Sequence, residues 1–188
     1  MAKRKRIVRD KSNLLQPLAP NFCWSMDFMS DALMSGQKIR TFNVIDDYNR
    51  EVLQIAVGVS MPTKKIINLL TKIGNKRGFP RKIRCDNGPE FTSKAFSQWS
   101  IKHEIEVIYI QPGCPTQNTF IERFNRTYRE EVLDMNMFSF VKKAQQVTKK
   151  WILSYNNERP HSSFKGLPPI EFAKIRSENE RDGKNVFF

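Results

Sequence analysis

Hydrophobic and polar positions first alternate along this chain and then change period, and that change divides it into elements. Phe22, Trp24, Met26 and Phe28 interleave with Cys23, Ser25, Asp27 and Met29, the period-two signature of a strand with one apolar face. Two further strand-like runs, 39–46 and 51–59, flank the turn-prone Asp47-Tyr48-Asn49-Arg50, so the first three strands read as an antiparallel meander. The period then lengthens. Pro62 opens a helix carrying Ile66, Leu69, Leu70 and Ile73 at helical spacing, with Gly74 and Gly78 as its stop signals. A short strand over 81–85 runs into Asp86-Asn87-Gly88-Pro89, a helix is predicted over 93–103, and another strand over 105–110. The loop 111–116 leads to a long helix ending near Met135, and a last helix over 140–156 puts Val147, Trp151 and Tyr155 on one face. Five strands interleaved with helices predict an α/β fold, a mixed five-stranded sheet with helices on its faces.

The ends read differently. Residues 1–20 form a basic arm or linker, with Lys3, Arg4, Lys5, Arg6, Arg9 and Lys11 against Asp10, and Pro17 and Pro20 then break regular structure. Residues 21–173 are expected to form the single folded core, and 174–188 a polar tail. Neither an internal repeat nor a second domain is visible.

Composition changes the picture in one respect. The formal net charge is +13, a surplus that points to a polyanionic partner, nucleic acid or an anionic membrane surface. No stretch nears the ~20 apolar residues of a membrane span, and no apolar region follows the basic N-terminus as in a secretory signal. Cys23, Cys85 and Cys114 have no metal-ligand spacing, and His103 and His161 lie near no cysteine pair, which argues against zinc and for reduced thiols in the cytoplasm.

Three acids stand where such a fold could gather them. Asp27 lies inside the first strand, opposite its aromatic side chains; Asp86 ends the fourth strand; Glu122 sits in the first turns of the long helix, with 35 residues between it and Asp86. Carboxylates suit phosphodiester chemistry because Mg²⁺ is a hard cation that prefers oxygen ligands, and two such ions about 3.5–4 Å apart can assist both attacking and leaving oxygens. Each acid also has an ordinary reading. Asp86-Asn87-Gly88 taken alone is better turn chemistry than a metal site. Thr119-x-x-Glu122 fits a capping box. A strand carboxylate between Met26 and Phe28 is harder to dismiss, since a buried charge needs a partner or a task. Asp46 and Asp47 are rivals, placed where a turn would use them. On the long helix, Asn118, Glu122, Asn125, Arg126 and Arg129 face away from the apolar side, an arrangement that suits a metal ligand among phosphate-binding groups as well as a plain wet face.

Several segments carry a family resemblance. Trp24-Ser25-Met26-Asp27-Phe28, Asp86-Asn87-Gly88-Pro89-Glu90-Phe91, the run from Pro115 to Asn125, and Tyr155-Asn156-Asn157-Glu158-Arg159-Pro160-His161-Ser162-Ser163 with Pro168-Pro169-Ile170-Glu171-Phe172 closely resemble the integrase core of bacterial insertion-sequence transposases. The nearest likeness is to the second-reading-frame proteins of insertion-sequence family three, relatives of retroviral integrases. The resemblance spans residues 21–173. It implies a ribonuclease-H-like fold, a DDE site in which Asp27, Asp86 and Glu122 bind Mg²⁺ (or Mn²⁺ as a substitute), two ions in all, and successive strand cleavage and 3′-hydroxyl strand transfer. It also implies double-stranded DNA as partner, a homo-oligomer on that DNA, and bacterial cytoplasm as the location. Asn118, Asn125, Arg126 and Arg129 would contact DNA or steady the glutamate, with Lys3, Arg4, Lys5 and Arg6 adding phosphate contacts. Two departures stand out: the segment before Asn21 is too short for the helix-turn-helix reader of the family, and Cys114 replaces a frequent basic residue. A truncated transposase that binds DNA as a silent regulator is the alternative.

Overall fold

A computed structural model describes residues 16–111 and 115–182. Five strands form one sheet: β1 (Cys23–Ala32), β2 (Lys38–Asp46), β3 (Val52–Gly58), β4 (Lys82–Cys85) and β5 (Glu106–Tyr109), in the order β3-β2-β1-β4-β5. The meander β1-β2-β3 is antiparallel, whereas β4 and β5 join it in parallel on the other side of β1. Parallel neighbours need a crossover. Helix α1 (Thr63–Arg77) supplies the first, and a one-turn helix α2 (Pro89–Thr92) with α3 (Lys94–Lys102) supplies the second. Helices α4 (Thr119–Tyr128), α5 (Val141–Asn157) and α6 (Pro169–Arg181) complete the chain.

Strand alternation sorts the core into two apolar layers. Trp24, Met26, Phe42 and Val44 point to one face, where Ile66 and Leu70 of α1 and Phe96 and Trp99 of α3 cover them. Met29, Ile39, Ile45, Ile55 and Val57 point to the other and pack under Ile121, Phe124 and Tyr128 of α4 and Ala144 and Tyr155 of α5. A mixed sheet between two helical layers is thus the architecture, as the periodicity predicts.

The long helix does not run unbroken to Met135. It passes at Arg129–Leu133 into a π turn, closed by the Asp134 amide donating to the Arg129 carbonyl. Gly74, read as a stop signal, lies inside α1 instead. A Cβ there would stand 2.3 Å from the Phe79 ring, so the glycine serves close packing, and the helix stops at Gly78 with φ of 92°. The boundary expected after Ala173 falls within α6, which continues to Arg181. Pro168-Pro169 starts this helix rather than breaking it, since proline fits the first helical position. Phe172 of α6 stacks on Phe164, and both pack with Tyr48 of the β2–β3 turn, tying the C-terminal segment to the core. The basic cluster Lys3, Arg4, Lys5 and Arg6 lies outside the described residues, as does Cys114.

Candidate active site

Asp27 points from β1 to the face that α4 covers, the side opposite Trp24, Met26 and Phe28. Antiparallel pairing sets it across from Asn43 of β2. On its other flank the parallel register pairs Ser25 with Arg84. The register ends at that pair, and Asp86 follows one residue beyond the end of β4, near enough for its charge to act on Asp27. Glu122 comes from the first turn of α4, where the positive end of the helix dipole favours a negative charge.

The electrostatics connect the three. Burial pushes the Asp27 carboxyl up to about 6, the Phe28 amide opposes this, the negative charges of Asp86 and then Glu122 raise it further, and the Asn125 amide counters them. Like charges raise a carboxyl in this way from nearby, through a poorly screened place. None of the three carboxylates forms an ion pair with Lys or Arg among the described residues, although the chain carries 32 such residues. As the side chains stand, no three His, Cys, Asp or Glu among the described residues are gathered closely enough to hold a metal ion.

A hydrogen-bonded relay fixes Asp27. The backbone amide of Phe28 donates to its Oδ1 at 2.8 Å, and Asn125 Nδ2 donates to its Oδ2 at 2.7 Å. Asn125 in turn accepts at Oδ1 from Asn43 Nδ2 at 2.7 Å. Asn125, expected to contact DNA or steady the glutamate, is buried with its amide engaged on both sides. Its place one turn after Glu122 serves the carboxylate. Asn43 was missed altogether. The available signal was an amide at an interior position of β2 on the row that faces α4.

Asp86 does make the turn expected of Asp-Asn-Gly, its Oδ1 accepting from the Gly88 amide at 2.9 Å. A Cβ at Gly88 would stand 2.9 Å from Asp86 Oδ1 and 3.3 Å from Glu90 Oε2, so the glycine leaves room for the Asp86 carboxylate as it stands. The capping box does not form: α4 takes Asn118 as its cap, without a side-chain cap bond, and Thr119 is already its first residue. Glu122 is therefore not engaged as a capping-box carboxylate.

The remaining candidates divide. Asn118 is buried, with Oδ1 unpartnered among the described residues. Arg126 is exposed. Arg129 donates from Nη2 to the Ser30 carbonyl at 2.8 Å and lies 3.6 Å from Asp134. The rival acids have structural work, as expected. Asp46 accepts from the Asn21 and Tyr48 amides and pairs with Arg77 at 3.1 Å, while Asp47 pairs with Arg84 at 2.8 Å.

Comparison with known proteins gives this arrangement a family. Models described as integrase core domain match residues 17–115 and, for a second such model, 103–169. The chain belongs to the integrase core family. Among relatives of this integrase core, the uncharacterized 39.2 kDa protein of insertion element IS476 from Xanthomonas euvesicatoria is 44% identical over 171 residues, covering 91% of this chain and 49% of that one. The uncharacterized 31.7 kDa protein of insertion element IS407 from Burkholderia multivorans is 38% identical, covering 91% and 62%. The chain thus spans about half to three-fifths of the length of these curated relatives. Among solved structures, the catalytic core domain of BIV integrase aligns with a TM-score of 0.62 at 17% identity, covering 86% of this chain and 99% of that one. The HTLV-2 integrase catalytic core domain, in complex with magnesium and in dimeric form, gives 0.57 at 18%, covering 77% and 92%. The fold is that of these cores, ribonuclease-H-like, with a mixed five-stranded sheet between helices. No helix among the described residues is long and apolar enough to cross a membrane.

Proposed function

We propose that this integrase core is the catalytic domain of a DNA transposase, cleaving DNA strands and joining a 3′-hydroxyl end to another phosphodiester. Asp27, Asp86 and Glu122 would be its metal ligands. The observation that carries this reading is the mostly buried Asp27 carboxylate, which feels the negative charges of Asp86 and Glu122, while none of the three has a Lys or Arg partner among the described residues. Such a site needs cations from elsewhere, and an all-carboxylate donor set fits a hard divalent ion such as Mg²⁺ or Mn²⁺. The magnesium in the HTLV-2 core supports the same choice. When bound, a pair of ions would activate the attacking oxygen and stabilise the leaving one. The chain's own part is to hold the carboxylates ready. Asn125 and the Phe28 amide fix Asp27 in one orientation, the Gly88 turn fixes Asp86, and the π turn after Tyr128 anchors the far end of the Glu122 helix. The surplus of +13 would draw in the DNA backbone. Double-stranded DNA is the proposed partner, with copies of this chain assembled on it and a helix-turn-helix protein or domain reading the element ends.

The test offers a pre-nicked branched DNA with Mg²⁺ or Mn²⁺, so that no end-reading domain is needed. Asp27→Asn, Asp86→Asn and Glu122→Gln should each abolish cleavage and joining while leaving folding and DNA binding intact, with effects far from additive. Undiminished activity in Glu122→Gln would remove it from the site. A parent that folds and binds DNA but is inactive with both metals would favour a silent, DNA-binding regulator.

A further inference from the structure

On the side of α4 turned away from Asp27 lies a second polar cleft of about 340 Å³. Phe120, Arg123, Phe124 and Thr127 of α4 form one wall, on nearly the opposite helical phase from Glu122, Asn125 and Arg129. The β2–β3 turn contributes Arg50, and the segment after α5 contributes Arg159, His161, Ser162 and Ser163. The lining therefore carries three arginines, one histidine and several hydroxyls, and no carboxylate.

Two of its polar groups lack partners. Arg50 Nη1 and His161 Nε2 are both buried without a hydrogen bond among the described residues. A buried donor without a partner has lost its hydration for nothing, so an orphaned guanidinium nitrogen and an orphaned imidazole nitrogen from the lining of one cleft call for a ligand. Arg50 is held rigidly. It adopts φ of 60° at the end of the turn, and its guanidinium lies flat on Phe120, 3.3 Å above the ring centre. Positive charge reaches the imidazole, while Arg50 itself has the carboxylates of Asp47 and Asp46 near it. Burial first, then the charges of Arg159 and Arg50, push His161 down to about 4. Arg159 is already paired with Glu131, and Glu131 also accepts from Trp151, so one wall is braced. Arg123 is exposed at the rim and makes no ion pair among the described residues.

We infer that this cleft is a phosphate-binding site, in which Arg50, His161 and Arg123 take a phosphate of a nucleic-acid backbone at a place separate from the carboxylate cluster. The guanidinium donors suit a tetrahedral oxyanion. Pro160, exposed beside them, offers apolar surface for the adjoining sugar or base. The site deepens the transposase reading by giving the DNA a second point of attachment, and the experiment below does not depend on catalysis.

The chain has two histidines, and His103, stacked on Phe79 in the opposite helical layer, is an internal reference. Titration of the whole chain with inorganic phosphate, and separately with a short DNA duplex, should shift the His161 ring resonances and leave those of His103 in place, and phosphate should compete with the duplex for that shift. Arg123→Gln should weaken duplex binding about threefold to tenfold in moderate salt and flatten its log–log salt slope by about 0.9, the value for one lost phosphate contact. Lys102→Gln, exposed on α3 in the other layer, should leave the His161 shift unchanged. Arg50→Gln should abolish the shift; if that variant does not fold, Arg123→Gln and the resonances decide alone. A shift with phosphate that the duplex neither produces nor displaces would make this a small-anion site and overturn the DNA assignment. No His161 shift with either probe would overturn the site itself. Asp27→Asn should keep the shift, so loss of the catalytic reading leaves this result standing on its own.

Discussion

Asp27 sits between groups that raise and lower its affinity for a proton, and its titration should be visible in the stability of the protein. Its folded value near 6 lies above the 3.8 of an ordinary aspartate, so the native state binds more protons than the unfolded chain between those limits. Stability from this group is therefore greatest at low pH and declines as pH rises from about 4 through 6. In chelator, the melting temperature should fall across that window, and the part due to Asp27 should be absent in Asp27→Asn. That variant is the necessary control because burial also pushes Asp46 up to about 6. Millimolar Mg²⁺ should raise the melting temperature at pH 7 by about 2–4 °C per kcal/mol of binding, and less at pH 5, where protons compete for the same oxygens. An equal rise at both pH values, or one that survives in Asp27→Asn, would place the ion elsewhere. Asn125→Ala should destabilise the chain by about 1–3 kcal/mol in a denaturant melt, because Asn43 Nδ2 loses its acceptor in the interior.

At the scale of elements, two glycines separate packing from site geometry. Gly74→Ala adds helix propensity worth up to about 1 kcal/mol, yet its Cβ would lie 2.3 to 2.7 Å from three carbons of the Phe79 ring. Overpacking commonly costs about 1–3 kcal/mol, so a net loss of stability is expected in a denaturant melt. A gain would mean that Phe79 moves aside freely. Gly88→Ala meets the carboxylate of Asp86 rather than the core, so it should reduce strand cleavage and Mg²⁺ affinity while changing the melting temperature little. Calorimetry beside the cleavage assay distinguishes the two. The π turn at Arg129–Leu133 has a related role, since it lets Val132 and Leu133 reach the core after the regular period of α4 has ended.

The whole molecule carries a formal net charge of +13, and the proposed binding to DNA should reflect it. Phosphate contacts should dominate, giving little sequence preference and an affinity that falls steeply with salt, each contact adding about −0.9 to the log–log slope. Removing residues 1–11, which carry six basic side chains against one acidic, should flatten the slope and leave the fold unchanged by circular dichroism. An affinity indifferent to salt would mean that the surplus charge is not what holds the DNA.

The local patterns determined much of this. The alternation through Phe22–Met29 put Asp27 on the face away from its aromatic neighbours, and the switch from period two to period 3.6 gave the order of strands and helices, because both follow from backbone geometry alone. Taken alone, Asp86 reads as a turn residue and Glu122 as a capping-box residue, and it was the family resemblance of the motifs around them that marked both as metal ligands. Other features arose only from contact between distant segments. Asn125 became a partner of Asp27 because 98 residues of chain fold back on themselves, and a polar helical position reads alike whether it meets solvent or a strand carboxylate. Gly74 was read as a stop because nothing local announces Phe79 against it. The cleft of Arg50, Arg123 and His161 draws on a turn, a helix and a C-terminal loop that share no sequence period, so only their tertiary packing could assemble it.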